Sequence, residues 1–431
     1  MPIDFKNQIP EPFYSHIQTI YERVTRAGFE CFLVGGSVRD LVMGITPHEY
    51  DFTTNAKPDD VKKLFPLVVE TGIKHGTLTI VIDKIHYEIT TYRIDKDYVD
   101  GRRPNSIEFG KSLAEDLRRR DFTMNALALD PKNYEIIDEH QGLVDIQNKK
   151  IRTIGDPVQR FGEDGLRPIR ALRFASSLGF EIEPTTRNAI QKTKHITEKI
   201  SIERFFDEIT KSLRGRKPSI MLQLLVEEDI FSLFLKDSRF KETMQIDAVT
   251  YLDRISKENL GFQIAVFFFI LCPTVGLKVL EDWLRKLKTS GQIQKDCILF
   301  YQFIHLSREM DCNQNPIDLH FILKKQILCP LKKHHGAETA YQKVGNSFWR
   351  DMEIFFGKQT SLLQSLWLGK PPLLLTDLCI SGNTLAEQFP DLPKTKYGIL
   401  LNQLLDLVLK DPTKNEIQIL LEHSAEKINN L

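Results

Sequence analysis

The sequence predicts an α+β fold: an N-terminal part with a small mixed β-sheet and flanking helices, followed by an all-helical remainder. Short β-branched or alternating runs cluster before about residue 92, whereas from about Arg160 onward apolar residues recur at helical spacing. A third observation places chemistry in the first part: the turn Leu33-Val34-Gly35-Gly36-Ser37 leads into Glu49-Tyr50-Asp51-Phe52.

Phe13, Ile17, Ile20, Tyr21 and Val24 form one apolar stripe, which predicts a helix over 13–27 stopped by Gly28. A strand over Cys31–Val34 follows, then the glycine turn and a helix from Ser37 to Met43, closed by Gly44. Pro58-Asp59-Asp60 opens a crossover helix over Lys57–Phe65. Strands are expected over Leu67–Glu70, Thr77–Ile82 and Tyr87–Tyr92; in the last, Tyr87, Ile89 and Thr91 alternate against Glu88, Thr90 and Tyr92. The charged stretch Asp95–Pro104 reads as a mobile surface loop, and Asp138–Asp145 as a loop turning at Gly142. Helices are expected over Leu166–Leu178, Thr186–Ile196, Glu203–Leu213, capped by Ser201, and Leu222–Phe234. The most apolar run, Ile264–Leu271, is too short to span a bilayer and reads as a buried helix. Asn, Pro, Lys and His mix over Asp311–Gly336, which reads as a loop or linker.

The 431 residues suffice for two to four domains. With 58 basic and 58 acidic residues the net charge is zero, so a nucleic-acid surface must come from local clustering; the balance neither supports nor excludes RNA. Six cysteines without a C-x-x-C pair suggest reduced thiols in a cytoplasmic protein, with neither a disulfide framework nor a zinc site. Residues 1–12 lack a signal-peptide pattern, and no membrane partner is expected.

Side chains two apart on a strand share a face, so Glu49 and Asp51 can share metal ions, and hard carboxylate oxygens suit Mg²⁺. The Gly35-Gly36-Ser37 backbone can present N–H groups to a phosphate. Together they describe a nucleoside-triphosphate site, although acid-x-acid alone is more often a solvated pair after an ordinary turn. Glu88 could accept a proton or orient a ligand there, or be a surface glutamate on an edge strand. Arg118-Arg119-Arg120 can neutralise triphosphate or RNA phosphates and Asp121 can accept from a ribose hydroxyl; a solvated basic run is the plain alternative. Of Arg160, Arg167, Arg170 and Arg173, at least three face one side of a helix; they cannot all be paired within a core and call for an anionic partner. Asp164 and Arg167, three apart on a helix, can form a joint edge that imitates a base-pairing face. A Glu163–Arg167 intrahelical ion pair is the simpler reading of the same word.

The words Val34-Gly35-Gly36-Ser37-Val38-Arg39-Asp40 and Phe52-Thr53-Thr54-Asn55-Ala56 resemble the head motif of the DNA polymerase beta nucleotidyltransferase superfamily. More narrowly, they resemble the class II tRNA nucleotidyltransferases and bacterial poly(A) polymerases. The resemblance implies that Glu88 completes a catalytic trio with Glu49 and Asp51, the latter two holding Mg²⁺. Arg-Arg-Asp-Phe-Thr-x-Asn-Ala, from Arg119 to Ala126, is similar to the family's ribose-binding motif, which adds Arg119, Arg120, Asp121 and Asn125 to Gly35, Gly36, Ser37 and Arg39 as nucleotide-binding residues. In the family's Glu-Asp-x-x-Arg region, side chains select CTP and then ATP in place of a template. Carried over, Asp164 and Arg167 read the base, Glu163 braces them, and Arg170 and Arg173 join the nucleotide site. Asp138–Asp145 resembles the hinge between head and neck, and Ser201–Glu208 the motif behind the base pocket, with Glu203 and Arg204 purely structural.

The implied architecture is a catalytic head over 1–150, a base-recognising neck over 151–220, a helical body over 221–335 and a tRNA-binding tail over 336–431. The implied partners are the tRNA 3′ end and acceptor arm, with CTP and ATP; monomer and homodimer both stay open. Asp95–Pro104 is full length, whereas forms adding only cytidines have it shortened. Asp377–Leu385 and Tyr397–Leu401 faintly resemble the family's tail, and packing helices explain them equally well. His334-His335 lacks the aspartate of an appended phosphohydrolase domain. Two departures stand out: Glu49 occupies a position usually held by Asp, and His48 precedes it. An A-adding enzyme or poly(A) polymerase on the same scaffold is the alternative, and a catalytically silent RNA-binding protein the remote one.

Overall fold

The computed structural model describes residues 5–73, 76–98, 104–110, 112–237, 240–309, 316–336 and 339–428. The chain divides into two compact units, Met1–Glu242 and Thr243–Leu431.

The first unit holds a seven-stranded mixed sheet. Its strands are β1 (Cys31–Val34), β2 (Asp51–Thr54), β3 (Val68–Gly72), β4 (Thr77–Ile82), β5 (Ile85–Thr91), β8 (Leu127–Leu129) and β9 (Ile136–Asp138), in the order β3-β4-β5-β2-β1-β8-β9. A hairpin of β6 (Arg93–Tyr98) and β7 (Pro104–Phe109) lies outside the sheet. β2 and β5 are parallel, and the other neighbours in the seven-stranded sheet are antiparallel. The helix Phe13–Arg26 buries Ile17, Ile20 and Val24, the predicted stripe. Val34, Leu117, Ala126, Ala128 and Ile154 form a buried cluster beneath the end of β1.

Several expectations change. Glu49 precedes β2 instead of sharing a strand with Asp51: β1 ends at Val34, opposite Asp51, so residue 49 has no strand to pair with. The Asp95–Pro104 stretch is not simply a loop, because Asp95–Tyr98 and Pro104 pair within the hairpin; 99–103 lie outside the described residues. The helix expected over Thr186–Ile196 breaks at Thr193 into Pro184–Lys192 and Lys194–Thr197. That over Leu222–Phe234 breaks because Asp229 takes φ 53°, leaving Pro218–Glu227 and Phe231–Leu235. Ser201 occupies the start of the Ile202–Leu213 helix without capping it through its side chain.

The second unit is helical. Leu260–Leu271 buries every residue from Gly261 onward, as its unbroken apolar run predicts. The loop expected over Asp311–Gly336 is instead helical over Pro316–Leu323 and Cys329–His335, joined by a wider turn over Lys324–Leu328; 310–315 lie outside the described residues. Lysines that read as loop residues are absorbed by packing: the Lys324 ammonium donates to the Leu409 carbonyl at 2.8 Å and that of Lys332 to Asp377 at 2.8 Å. His334 also has an aspartate, Asp296, at 2.5 Å, 38 positions away in sequence and so invisible as a local motif. Among the described residues no helix is long and apolar enough to cross a membrane.

Candidate active site

A cleft of about 850 Å³ opens in the first unit above the ends of β1 and β2. On one wall, the register Val34↔Asp51 sets Asp51 beside the glycine turn, and the parallel register Phe52↔Ile89 sets Asp51 level with Glu88 on β5. Side chains at the same level of adjacent parallel strands share a face. Glu49, Asp51 and Glu88 all line the cleft. Burial first, and the neighbouring Glu88 charge second, push the Asp51 carboxyl up to about 6; Arg120 pulls it down and Glu49 pushes it up.

Gly35 has φ 75°, a conformation costly for any side chain, and Arg120 crowds the space a Cβ would need, with Nη1 3.1 Å away. Gly35 and Gly36 line the cleft, whereas Ser37 is buried and donates its hydroxyl to the Val34 carbonyl at 3.1 Å. Its side chain holds the turn together.

The arginine wall corrects a second expectation. The spacing suggested that the arginines cannot all be paired within a core; each has a carboxylate. Arg160 pairs with Glu163 at 2.8 Å, Arg167 with Glu163 at 2.5 Å, Arg170 with Asp121 at 2.8 Å, and Arg173 with Glu208. Arg167, Arg170 and Arg173 nonetheless line the cleft, together with Asp121, whereas Glu163 and Glu208 do not and brace the arginines from outside its lining. Three guanidinium groups surround the Phe174 ring: Arg39 at 5.2 Å, Arg170 at 5.3 Å and Arg173 at 3.9 Å from its centroid.

Arg39 donates to Asp40 at 2.9 and 2.6 Å and to Asn125 Oδ1 at 2.8 Å, and Asn125 in turn donates to Asp121 Oδ1 at 3.1 Å. Burial raises the Asp121 carboxyl, but Arg170, the Asn125 amide and Arg167 outweigh it and hold the group down at about 2. Arg119 and Arg120 both donate to Asp116, while Arg118 is exposed.

Asp164 is not on a helix with Arg167, as had been expected. It lies in the break between Pro157–Glu163 and Leu166–Leu178, where its Oδ1 accepts from the Leu166 N–H at 3.0 Å. Asp164 makes the break with an extended backbone, φ −142° and ψ 110°, and Gly165 beside it serves close packing, since a Cβ there would meet the Ile196 carbonyl oxygen at 2.5 Å. Arg167 is braced by Glu163 and by the carbonyls of Arg160 and Arg119 at 2.8 and 3.0 Å. Arg204, read as purely structural, donates to Asp164 Oδ2 at 3.1 Å and lines the cleft. Gly142 begins a helix packed so closely that a Cβ would lie 2.4 Å from the Thr123 carbonyl oxygen, so it serves close approach. Sequence reasoning passed over Asp116, Phe174 and Glu208; the three- and four-residue spacing of Asp116 to Arg119 and Arg120 was the available signal.

Residues 31–152 match the model of the poly A polymerase head domain, and 179–240 that of a probable RNA and SrmB-binding site of polymerase A. The chain is 37% identical over 417 residues to a CCA-adding enzyme of Streptococcus suis, covering 96% of this chain and 97% of that protein. A CCA-adding enzyme of Lactococcus lactis subsp. cremoris is 33% identical over 425 residues, with the same coverage. The chain belongs to the CCA-adding enzyme family. The crystal structure of the Bacillus stearothermophilus CCA-adding enzyme in complex with CTP superposes with a TM-score of 0.78 at 26% identity, covering 98% of this chain and all of that one.

CCA-adding enzymes are metal-dependent nucleotidyltransferases, and the donor set here fits that requirement. Among the described residues no three His, Cys, Asp or Glu side chains form a ready-made metal cage. Two carboxylates completed by substrate phosphate oxygens are how such sites commonly hold a hard cation. Burial, with the neighbouring Glu88 and Glu49 charges adding to it, keeps the Asp51 carboxyl raised, as expected of acids gathered at one site.

Proposed function

We propose that this chain adds CCA to tRNA 3′ ends from CTP and ATP without a nucleic-acid template. The observation that carries the reading is the match over nearly the whole chain to CCA-adding enzymes, with the acids and the arginines lining one cleft. Glu49 and Asp51 would hold Mg²⁺, which when bound polarises the α-phosphate and stabilises the departing charge. Arg119, Arg120 and the Gly35-Gly36 backbone receive the triphosphate, and Asp121 with Asn125 meets the ribose. Asp164 and Arg167 offer an acceptor and donors to the base edge. Glu88 takes the proton of the tRNA 3′-hydroxyl as the hydroxyl oxygen bonds the α-phosphorus; the bond from that phosphorus to the α–β bridging oxygen breaks and pyrophosphate leaves.

In this reading the catalytic head spans 1–150, the neck 151–220, the body 221–335 and the tRNA-holding tail 336–431. The free thiols of Cys31, Cys272, Cys297, Cys329 and Cys379 and the tRNA substrate favour a cytoplasmic setting.

The test supplies purified protein with tRNA transcripts ending before CCA, after C or after CC, and with an unrelated RNA. CTP and ATP are given separately and together, and products are resolved at single-nucleotide length. Two cytidines and then one adenosine on tRNA alone is the expected result. Adenosine only on the CC-ended transcript would make it an A-adding enzyme, and long adenosine tails on any RNA a poly(A) polymerase.

A further inference from the structure

Two arginines of the cleft owe their placement to a carboxylate that does not line it. Asp116 is fully buried on the Leu113–Arg118 helix. Its Oδ1 accepts from Nε and Nη2 of Arg119 at 3.0 and 2.5 Å, and its Oδ2 from Nη2 of Arg120 at 3.0 Å and the Thr53 hydroxyl at 3.4 Å. Thr53 lies on β2, two residues beyond Asp51, so the carboxylate ties the arginines to the strand that carries the acid wall. The two guanidinium groups are adjacent in sequence and repel each other; one buried negative charge between them offsets that repulsion and fixes both side chains in single rotamers. Arg120 is thereby held against the glycine turn, with Nη1 3.1 Å from where a Gly35 Cβ would stand, and its Nε is buried without a hydrogen-bond partner. Burial raises the Asp116 carboxyl, yet Arg120 and Arg119 together bring it below its ordinary value, so it stays ionised.

We propose that Asp116 is the positioning residue for nucleotide binding: by clamping Arg119 and Arg120 it presets the two donors that meet the triphosphate, and its loss weakens CTP and ATP binding by similar factors. The proposal rests on reading this cleft as the nucleotide site.

The test compares the parent protein with Asp116→Asn, Arg120→Lys and the double variant. Far-UV circular dichroism and thermal melting establish folding, steady-state kinetics give KM and kcat for CTP and ATP, and calorimetry gives CTP affinity in the absence of tRNA. Asp116→Asn is expected to raise KM for both nucleotides, and weaken CTP binding, on the order of tenfold to a hundredfold, as loss of a supporting partner commonly does. The C-C-A order should not change. Arg120→Lys, which keeps the charge but loses the fork, should show the same defect, and the double variant should be little worse than either. A purely structural Asp116 would lower the melting temperature with KM unchanged, which overturns the proposal. So would an effect confined to one nucleotide, or full additivity with Arg120→Lys. If Asp116→Asn does not fold, Arg120→Lys decides, and an unaltered KM there overturns the proposal. Incorporation by the parent protein and its loss in Asp51→Ala test the underlying site separately.

Discussion

Arg170 donates its Nε to Asp121 Oδ2 at 2.8 Å, and this pair, 49 residues apart in sequence, joins the segment after the arginine run to the helix Leu166–Leu178. The folded protein holds Asp121 at about 2, below the ordinary value near 4 of an unfolded chain. A depressed carboxyl contributes stability that is present above the unfolded value and lost as pH falls through the folded one. The expected contribution is roughly 2 kcal/mol at neutral pH, disappearing between about pH 4 and pH 2. Asp121→Asn should therefore lower the melting temperature at pH 7 and flatten the acid limb of the stability curve. A variant whose acid limb matches the parent's would show that this pair contributes nothing to the linkage.

Asp51 has the opposite sign. Its folded value near 6 lies above the ordinary one, so its stability contribution is fully present below about pH 4 and lost as pH rises through 6. At pH 7 and without metal, Asp51→Asn should stabilise the protein by roughly 1–3 kcal/mol while abolishing incorporation of both nucleotides. Added metal should raise the parent's melting temperature more than the variant's, because only the parent has the charge that repays cation binding. Thermal melts with and without divalent metal check this, and a destabilised variant would contradict it.

Arg167 is held by Glu163 and two backbone carbonyls, so its guanidinium reaches the cleft in one pose. Arg167→Ala should blur the choice between CTP and ATP, shifting the kcat/KM ratio on the order of tenfold to a hundredfold. Glu163→Gln leaves the arginine present but looser and should move the ratio the same way by less. Competition between labelled CTP and ATP on a CC-ended transcript reads both; an unchanged ratio would place base choice elsewhere.

Much of this was legible in the sequence because it is local. The stripe Ile17-Ile20-Val24, the alternation through Tyr87-Glu88-Ile89 and the apolar run to Leu271 report burial directly, and each lies where its period places it. What failed is non-local. No spacing announces that Glu208 waits behind Arg173, that Asp296 stands beside His334, or that Arg204 grips Asp164, since these partners are 35, 38 and 40 positions apart. The Asp311–Gly336 stretch misled for a related reason: its lysines look like solvated loop residues until the carbonyl of Leu409 and the carboxylate of Asp377 are in place to receive them.

The break beside Gly165 joins helix packing to the proposed base-reading residues Asp164 and Arg167. A Cβ there would stand 2.5 Å from the Ile196 carbonyl oxygen and 2.8 Å from its carbon, both backbone atoms that cannot rotate away. Gly165→Ala must therefore move the Leu166–Leu178 helix or the 196–197 segment, at a cost of roughly 1–3 kcal/mol. Movement of the helix carries Asp164 with it, because that carboxylate is tied to the Leu166 N–H as well as to Arg204. The variant should melt lower and also discriminate CTP from ATP less well. Gly162→Ala, three residues earlier, provides the contrast: its Cβ would meet nothing within 4 Å and the position is helical, so the change should be neutral or stabilising by up to about 1 kcal/mol. Paired melts and paired CTP/ATP competition on the two variants decide the matter. A Gly165→Ala protein that loses stability yet keeps full discrimination would separate the packing of this break from the reading of the base.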